Sequence, residues 1–593
     1  MDSVRRGLMN TQETMIYADM AFIGGVVRSA AKTAEPATSA AVRAGTIVAV
    51  GRDVSSLIGP RTEVVDLRGG ALLPGFQDAH VHPAFAGLAM LTCDLAGAAD
   101  ADEALARIAD YAAAHPERDW ITGTGWSMAW FPSGTPGREL LDAVVPDRPV
   151  YLTNRDGHGA WVNTRALAVA GLDSATPDPR DGRIERGRDG TPQGTLHEGA
   201  ALLVGRLAPA TTAAERLEGL LLAQDHLHAL GVTAWQDAIV GPYLGYPDPY
   251  ETYLAAARSG RLTARVVGAL WWDRDRGLEQ LPDLLARRER SLDGNLDGNL
   301  VDGAGPGPPA GHFRATSVKI MQDGVAENFT AALTEPYLDG HGHPTGHRGL
   351  SHLDPAELRR YVTALDAHGF QVHVHAIGDR AVREALDAVE TARRANTAGT
   401  AAVSSGGHPA GGNRHHIAHL QVVHPDDVPR FAALGVTANI QALWAAHTPQ
   451  MDELTIPFLG AERASWQYPF AALRAGGALL AAGSDWAVSS ANPWWGIHVA
   501  VNRTAPPGAG PATADPLLPA QSLDLDGALA AYTSGSAYAN HLDHVTGSIE
   551  AGRLADLIVV DRDPFAVPPG DLHDIRVVQT FVGGARVHAA PDA

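Results

Sequence analysis

The chain of 593 residues has one cysteine, Cys93, and lacks any apolar run long enough to cross a membrane. A single cysteine excludes an intrachain disulfide and a zinc site built on cysteine pairs. A bound metal would therefore need histidine, carboxylate or modified side chains as ligands. The residues near the first position also lack the apolar core and cleavage site of a secretory signal, so we expect a cytoplasmic protein.

Positive charge is scarce as well. The chain has 46 Lys and Arg against 67 Asp and Glu, which gives a formal net charge of −21. An acidic protein is repelled by nucleic acids and by anionic membrane surfaces, so we expect neither as a partner. The length exceeds one ordinary domain, although a large barrel with insertions would take up most of it.

Short β-branched runs bounded by glycine occur at both ends of the chain, within 19–72 and 547–587. Runs of this kind at both termini can pair with each other. We predict that 1–72 and 543–593 form one composite β-sandwich domain, and that the rest of the chain is inserted into it. We also expect loops of low complexity at 291–311, 396–413 and 504–516.

Between these ends, short apolar strands alternate with helical patterns, as is typical of parallel α/β proteins. Eight candidate strands are Ala71–His82, Val232–Asp237, Ala264–Trp271, Thr316–Asp323, Gln371–His375, His415–Leu420, Val436–Gln441 and Leu479–Asp485. Eight such units predict a (β/α)8 TIM-type barrel over 73–542, with its active site at the C-terminal ends of the strands. The long stretch after the first strand, about 84–200, predicts an inserted subdomain over the barrel mouth.

The first candidate strand ends in His80-Val81-His82. Residues i and i+2 of a strand point to the same face, so the two imidazoles would project together. Two imidazoles that converge at a strand end can hold a divalent metal. An H-x-H pair also occurs as two solvated loop histidines, so the pair needs support from the rest of the chain.

That support comes from polar residues near the ends of later strands, namely Lys319, His375, His419 and Asp485. Each has a plain structural explanation when taken alone, because a lysine can extend to solvent and an aspartate can cap a helix. Together they are harder to explain, since an inward lysine in an apolar strand is costly unless its charge is neutralised. We interpret His373 and His416, on the same strands, as satisfied core or surface histidines.

Several stretches of the chain match one known family. They are Leu73–His82, Asp156–Asn163, Val318-Lys319 with Asp323-Gly324, His375–Asp379, Gly483–Trp486 and Gly547–Leu557. With them the chain resembles the metal-dependent amidohydrolase superfamily, and within it amidohydrolase family 3, the branch that includes N-substituted formamide deformylase. The resemblance covers roughly residues 20–590.

The resemblance implies a ligand set. His80, His82 and Asp485 would bind one metal, and Lys319, carboxylated to N6-carboxylysine, would bridge to a second metal held by His375 and His419. Zinc is the first expectation for such ligands, and a single metal without the carbamate is the alternative. Asp485 would also act as general base, taking a proton from metal-activated water and returning it to the leaving nitrogen.

The inserted segment would supply the substrate pocket. His158, in a glycine-rich turn, is a candidate contact for a substrate carbonyl, or else it stabilises its own loop. Trp126, Trp130, Trp161 and Trp486 are candidates for an aromatic wall, of which one or two would touch substrate. We interpret His341, His343 and His347 as surface or lid residues that can bind zinc adventitiously.

The resemblance implies a small-molecule substrate and hydrolysis of a linear amide or formamide C–N bond. The same site chemistry would serve a cyclic amide, a carbamate or an ester. A non-catalytic metal-binding relative is the alternative from another class, and retention of Asp485 with all candidate ligands argues against it. The oligomeric state is open, with a homodimer as one alternative.

Overall fold

Eight parallel strands form a nearly closed barrel at the centre of the computed structural model, which describes residues 17–29, 37–132, 134–243, 246–293, 312–396, 412–509 and 514–591. Barrel strands 1 to 8 are Phe76–Val81, Val232–Val240, Arg265–Trp271, His312–Met321, Gln371–Ala376, His416–His419, Thr437–Ile440 and Leu480–Ala482. Each pairs in parallel with the next. Backbone hydrogen bonds from Asp485 N–H to the His80 carbonyl and from His82 N–H to the Trp486 carbonyl join the first and last strands. The predicted (β/α)8 fold is confirmed.

The helices pack around this barrel because apolar residues fill both the strands and the helix faces that cover them. The α-helices are Pro83–Ala89, Ala101–Ala114, Arg138–Val144, Thr164–Ala170, Leu202–Gly205, Ala213–Ala229, Tyr250–Arg258, Leu281–Asp293, Pro355–Ala367, Asp379–Asn396, Val428–Leu434, Ile456–Leu459, Ala461–Ala464, Phe470–Ala475, Pro493–Asn502, Leu525–Ala530 and Ser536–Ala539. Shorter 3-10 and π turns lie at Ser55–Leu57, Met128–Trp130, Gly199–Ala201, Leu278–Gln280, Pro425–Asp427, Ala442–Trp444, Gln450–Thr455, Pro519–Gln521, Ala531–Gly535 and Pro569–Asp574. Among the described helices, every one is too short or too polar to cross a bilayer.

The first predicted strand is wrong in its extent. The structure divides Ala71–His82 into Ala71–Pro74, which belongs to a sheet outside the barrel, and barrel strand 1. Gly75 lies between the two pieces, where a Cβ atom would collide with the side chain of Thr233. The backbone therefore passes against barrel strand 2 at a point where only glycine fits.

Both ends of the chain contribute to two further sheets. One has the order Thr46–Gly51, Ser39–Arg43, Met20–Ile23, Glu63–Asp66, and the other has the order Val26–Val27, Ala71–Pro74, Leu557–Val560, Val577–Val582, Ala585–Ala589. The two sheets share an apolar core in which the ring of Phe22 meets that of Phe581 edge-on at 5.3 Å. Residues near both termini thus pack together as the sequence predicts, while the domain boundaries at 72 and 543 stay predictions.

The segment after barrel strand 1 forms a six-stranded sheet of its own. Its order is Gly182–Arg186, Pro192–Glu198, Gly159–Val162, Val150–Asn154, Ile121–Trp126, Cys93–Asp94. This sheet lies at the C-terminal ends of the barrel strands, since residues from both line one cavity. The predicted loops at 291–311 and 396–413 lie in large part outside the described residues. In the third, 504–516, residues 504–509 and 514–516 are described and form neither helix nor strand.

Candidate metal centre and substrate cavity

Three buried side chains meet at the C-terminal end of the barrel. One ligand atom each from His80, His419 and Asp485 lie within 4.8 Å of one another. His82 adjoins this group, because its Nε2 lies 2.9 Å from Oδ1 of Asp485, and Nε2 of His80 lies 3.2 Å from the same oxygen. The structure therefore brings together residues that lie on, or within three positions after, barrel strands 1, 6 and 8.

The backbone at two of these residues is strained. Asp485 has a φ of 55° and His419 has a φ of 79°, both in the left-handed region that side-chain-bearing residues rarely adopt. Strain of this kind persists only where the surroundings enforce it, and it clusters at functional sites. The chain is closely packed beside Asp485, since a Cβ atom on Gly483 would lie only 2.6 Å from Cβ of His80.

The ring of His419 is suited to metal binding. Both of its nitrogens are buried, and neither has a hydrogen-bond partner among the described residues. A buried imidazole without partners is costly in an apolar interior, and a metal ion would satisfy it. Burial also lowers the pKa of His80 to about 3, so that its imidazole is neutral and carries the lone pair that a metal needs. The donor set of imidazoles and a carboxylate thus fits a divalent metal such as zinc.

His375 lies beside this group, with its ring centroid 4.4 Å from that of His419. Its Nδ1 lies 3.1 Å from Oδ1 of Asp323. The Asp323 carboxylate also accepts backbone N–H groups of Ala332, Ile377 and Gly378. These donors fix the carboxylate, which in turn holds the His375 ring with Nε2 directed away from Asp323, as metal-binding histidines require.

Lys319 is buried on barrel strand 4 and lines the same cavity. Burial lowers the pKa of its amine to about 7. A large share of the amine is therefore neutral near pH 7, and only the neutral amine can react with carbon dioxide. The position fits the predicted carbamate, and the carbamate itself stays a prediction.

His158 pairs with a buried carboxylate. Its Nδ1 lies 2.9 Å from Oε1 of Glu198, which also accepts from the hydroxyl of Thr330. Burial opposes a charge on His158, but the charge and hydrogen bond of Glu198 outweigh it and raise the pKa of the imidazole. The side chain lines the cavity, and its other nitrogen, Nε2, is left for a ligand.

The cavity above these residues has a volume of about 900 Å³. Its floor consists of His80, His82, His158, Lys319, His375, His419 and Asp485. Its walls include aromatic side chains from the inserted segment and from the loops and helices that follow the barrel strands, namely Phe85, Trp130, Tyr243, Tyr246, Trp444, Trp486 and Trp495. A cavity of this size with an apolar wall and a polar floor is typical of a small-molecule site.

Two of the predicted wall residues lie elsewhere. Trp126 and Trp161 are buried in the core of the inserted sheet, where they pack against each other and against Phe131. Each indole N–H is satisfied by a backbone carbonyl, that of Leu152 for Trp126 and that of Gly137 for Trp161. The aromatic wall is therefore corrected: Trp130 and Trp486 line the cavity, and the other two tryptophans hold the inserted sheet together.

Some residues of the site carry no local sequence signal. Glu198 stands 40 positions from His158, and only the pairing of the inserted strands brings the two together. The sequence gives a weak indication for Asp323. It follows Lys319 by four positions near the end of the strand, so the two side chains are expected on the same face. The histidines 341, 343 and 347 are exposed, as expected for surface residues.

Comparisons with known proteins agree with the observed fold. A model described as "Amidohydrolase family" matches residues 63–588. The protein LONG AFTER FAR-RED 3 of Arabidopsis thaliana is 31% identical over 97% of this chain and 92% of its own. The N-substituted formamide deformylase of Arthrobacter pascens is 26% identical over 95% of this chain and 97% of its own. A solved structure, an uncharacterized metal-dependent hydrolase from Pyrococcus horikoshii OT3, superposes with a TM-score of 0.67 at 25% identity, over 93% of this chain and 99% of that one.

Proposed function

Since the chain belongs to amidohydrolase family 3 of the metal-dependent hydrolases, we propose that it hydrolyses the C–N bond of a linear amide, such as an N-substituted formamide or an N-acyl amine. The observation that carries the proposal is the meeting of His80, His419 and Asp485 on the cavity floor, with both ring nitrogens of His419 unpartnered. The name of the Arthrobacter relative supports the substrate class.

The metal is proposed to be divalent, with zinc first, held by His80, His82, His375, His419 and Asp485. When bound, it supplies positive charge that polarises a carbonyl and acidifies water. Asp485 is the proposed general base, because its carboxylate is the acidic group among the histidines of the floor. Its oxygens would take the proton of an attacking water and pass it to the leaving nitrogen.

Lys319 is proposed to carry a carbamate. Of the 46 lysines and arginines in the chain, only Lys32 and Lys319 are lysines, and Lys319 is the one within the described residues. Arginine supplies the cationic side chains elsewhere, but a guanidinium stays charged and cannot form a carbamate. An amine at a buried position that interacts electrostatically with Asp485 therefore favours chemistry that only lysine offers.

His158 is proposed to bind the substrate carbonyl. Glu198 holds the Nδ1 side of the ring and favours the protonated imidazole. Nε2–H would then donate to the carbonyl oxygen and stabilise negative charge that develops there. Trp486 and Trp130 would contact the apolar substituent on the nitrogen.

The first test is the metal content of protein purified without added metal. We expect about two equivalents in the wild type and one or fewer in Lys319→Ala, as a carbamate-bridged pair requires. The matched control removes the exposed histidines together, as His341→Ala, His343→Ala and His347→Ala, and should leave the content unchanged. Growth with ¹³C-bicarbonate labels a lysine carbamate directly, and its carbon is detected by ¹³C NMR. Because the chain has only two lysines, few carbamate signals are expected.

The metal-loaded protein is then assayed with matched formamide, amide, carbamate, ester and cyclic amide substrates. Faster turnover of formamides and linear amides supports the proposal. A preference for esters, carbamates or cyclic amides would overturn the substrate class while keeping the site. A wild-type protein that binds no metal under any of these conditions would overturn the metal centre itself.

A further inference from the structure

Beneath His80, five buried polar side chains fill the interior of the barrel. We define Gln236, Gln371, His373, His416 and Asn439 as the interior network, and each is at most 2% exposed. We propose that the interior network fixes the tautomer of His80, so that Nδ1 carries the proton and Nε2 is free to bind the metal. The inference rests on the proposed metal centre. It implies that His373 and Gln236 act as positioning residues for His80.

Two backbone carbonyls fix the orientation of the Gln371 side-chain amide, which is the first member of the interior network. The side-chain nitrogen of Gln371 lies 2.8 Å from the carbonyl oxygen of Arg414 and 2.7 Å from that of Ala539. A carbonyl oxygen only accepts, so this group is the NH2 of Gln371, and its Oε1 faces the other way. That oxygen accepts a hydrogen bond from Nε2 of Gln236 at 3.0 Å. The amide of Gln236 is therefore oriented as well.

The next step sets the histidine protons. Oε1 of Gln236 lies 2.7 Å from Nδ1 of His373 and 3.0 Å from Nε2 of His416. Because an amide oxygen accepts only, both of these nitrogens carry hydrogen. Within the described part of the chain no carboxylate contacts His373, so the neutral ring is favoured in this buried position. Its Nε2 then has a lone pair.

This lone pair determines the state of His80. Nε2 of His373 lies 2.8 Å from Nδ1 of His80, which must therefore donate. The proton of His80 is on Nδ1, and its Nε2 keeps the lone pair that points toward Asp485, 3.2 Å from Oδ1. A hydrogen bond to the far nitrogen of a metal-binding histidine fixes both the tautomer and the ring orientation.

A second set of hydrogen bonds independently assigns the same protonation to His416, with hydrogen on Nε2. The side-chain nitrogen of Asn439 donates to the carbonyl of Ala79 at 2.9 Å and lies 3.1 Å from Nδ1 of His416. Nδ1 of His416 thus accepts, as its protonated Nε2 requires. Oδ1 of Asn439 accepts from Nε2 of Gln441, whose Oε1 accepts the backbone N–H of His419 at 2.6 Å. The network therefore reaches two of the proposed ligands, His80 and His419.

The test compares three variants by metal affinity, measured by competition for zinc with a chelating indicator. His373→Leu removes the acceptor for His80, and we expect the affinity to fall about 10- to 100-fold. His373→Gln places an amide oxygen within reach of Nδ1 of His80 and should restore most of the affinity. His228→Leu is the matched control, because His228 is equally buried and bonded to Val232 and Thr263, outside the site. It should lower the melting temperature without changing the affinity.

An affinity of His373→Leu equal to that of the wild type would overturn the inference, and so would a His373→Gln protein that binds no better than His373→Leu. Neutron diffraction from the metal-free wild type tests it without any variant. Deuterium on Nδ1 of His80, Nδ1 of His373 and Nε2 of His416 supports it, and deuterium on Nε2 of His373 overturns it. A wild type that binds no metal would overturn the proposed function, whereas the neutron result would still decide the tautomer.

Discussion

Nε2 of His82 lies 2.9 Å from Oδ1 of Asp485, although the two residues are 403 positions apart in the chain. Closure of the barrel brings them together, and Asp78 holds the junction. Its carboxylate accepts the backbone N–H groups of His80 and Ser484, one from each side of the closure. The Asp78 side chain therefore ties the segment that carries the proposed general base to the segment that carries two of the proposed ligands.

The first prediction concerns Asp485→Asn. The amide keeps the size of the side chain but cannot take a proton, so we expect kcat/KM on the best amide substrate to fall by about 10³-fold. The histidines of the floor should keep bound metal, which is measured in the same preparation. The control is Asp339→Asn, in an exposed loop, which should leave kcat/KM unchanged. Wild-type activity in Asp485→Asn would contradict the role of the carboxylate.

Replacing Glu198 by Gln should move the pH dependence of activity. Glu198 raises the pKa of His158, so its loss lowers that pKa and confines the protonated imidazole to more acidic solution. We expect the alkaline limb of the kcat/KM profile of Glu198→Gln to shift to lower pH, with activity partly recovered on acidification. A uniform loss at every pH would indicate a structural role for the pair instead.

The sequence predicts the barrel well because its strands are short apolar runs, and the proposed ligands lie at or just after strand ends. The H-x-H pair, Lys319 and Asp485 stand out together as polar residues near strand ends, and the family resemblance supplies their proposed roles. Partners such as Glu198 and Gln236 are not visible, because their roles depend on contacts between distant strands. Likewise, an aromatic residue in a strand of the inserted sheet gives no sign of which face it occupies.

The two kinds of tryptophan give a contrasting pair of predictions. Trp161 is buried in the inserted sheet, so Trp161→Ala should lower the free energy of unfolding by about 3–5 kcal/mol. Trp486 lines the cavity and lies against the ring of His226 at 4.8 Å.

Trp486→Ala should raise KM for substrates with large N-substituents and leave the unfolding free energy nearly unchanged. Urea unfolding and steady-state kinetics on both proteins check the contrast. A raised KM in folded Trp161→Ala, with none in Trp486→Ala, would contradict the corrected wall.

The last prediction is a pH dependence of stability that is independent of metal. The carboxylate of Asp366 is partly buried and accepts hydrogen bonds from His415, Asn396 and Asn413. Burial would raise the pKa of Asp366, but these donors outweigh it and lower the pKa from 3.8 to about 2. A carboxylate with a lowered pKa in the folded state stabilises the fold above its unfolded pKa, and the stabilisation is lost as pH falls toward 2.

The shift in the pKa of Asp366 corresponds to about 2 kcal/mol of stability, of which about half is lost by pH 3. Asp366→Asn cannot titrate, so the difference in unfolding free energy between wild type and variant should shrink by about 1 kcal/mol from pH 7 to pH 3 in urea titrations. A difference that stays constant over this range would show that the three donors do not favour the charged carboxylate.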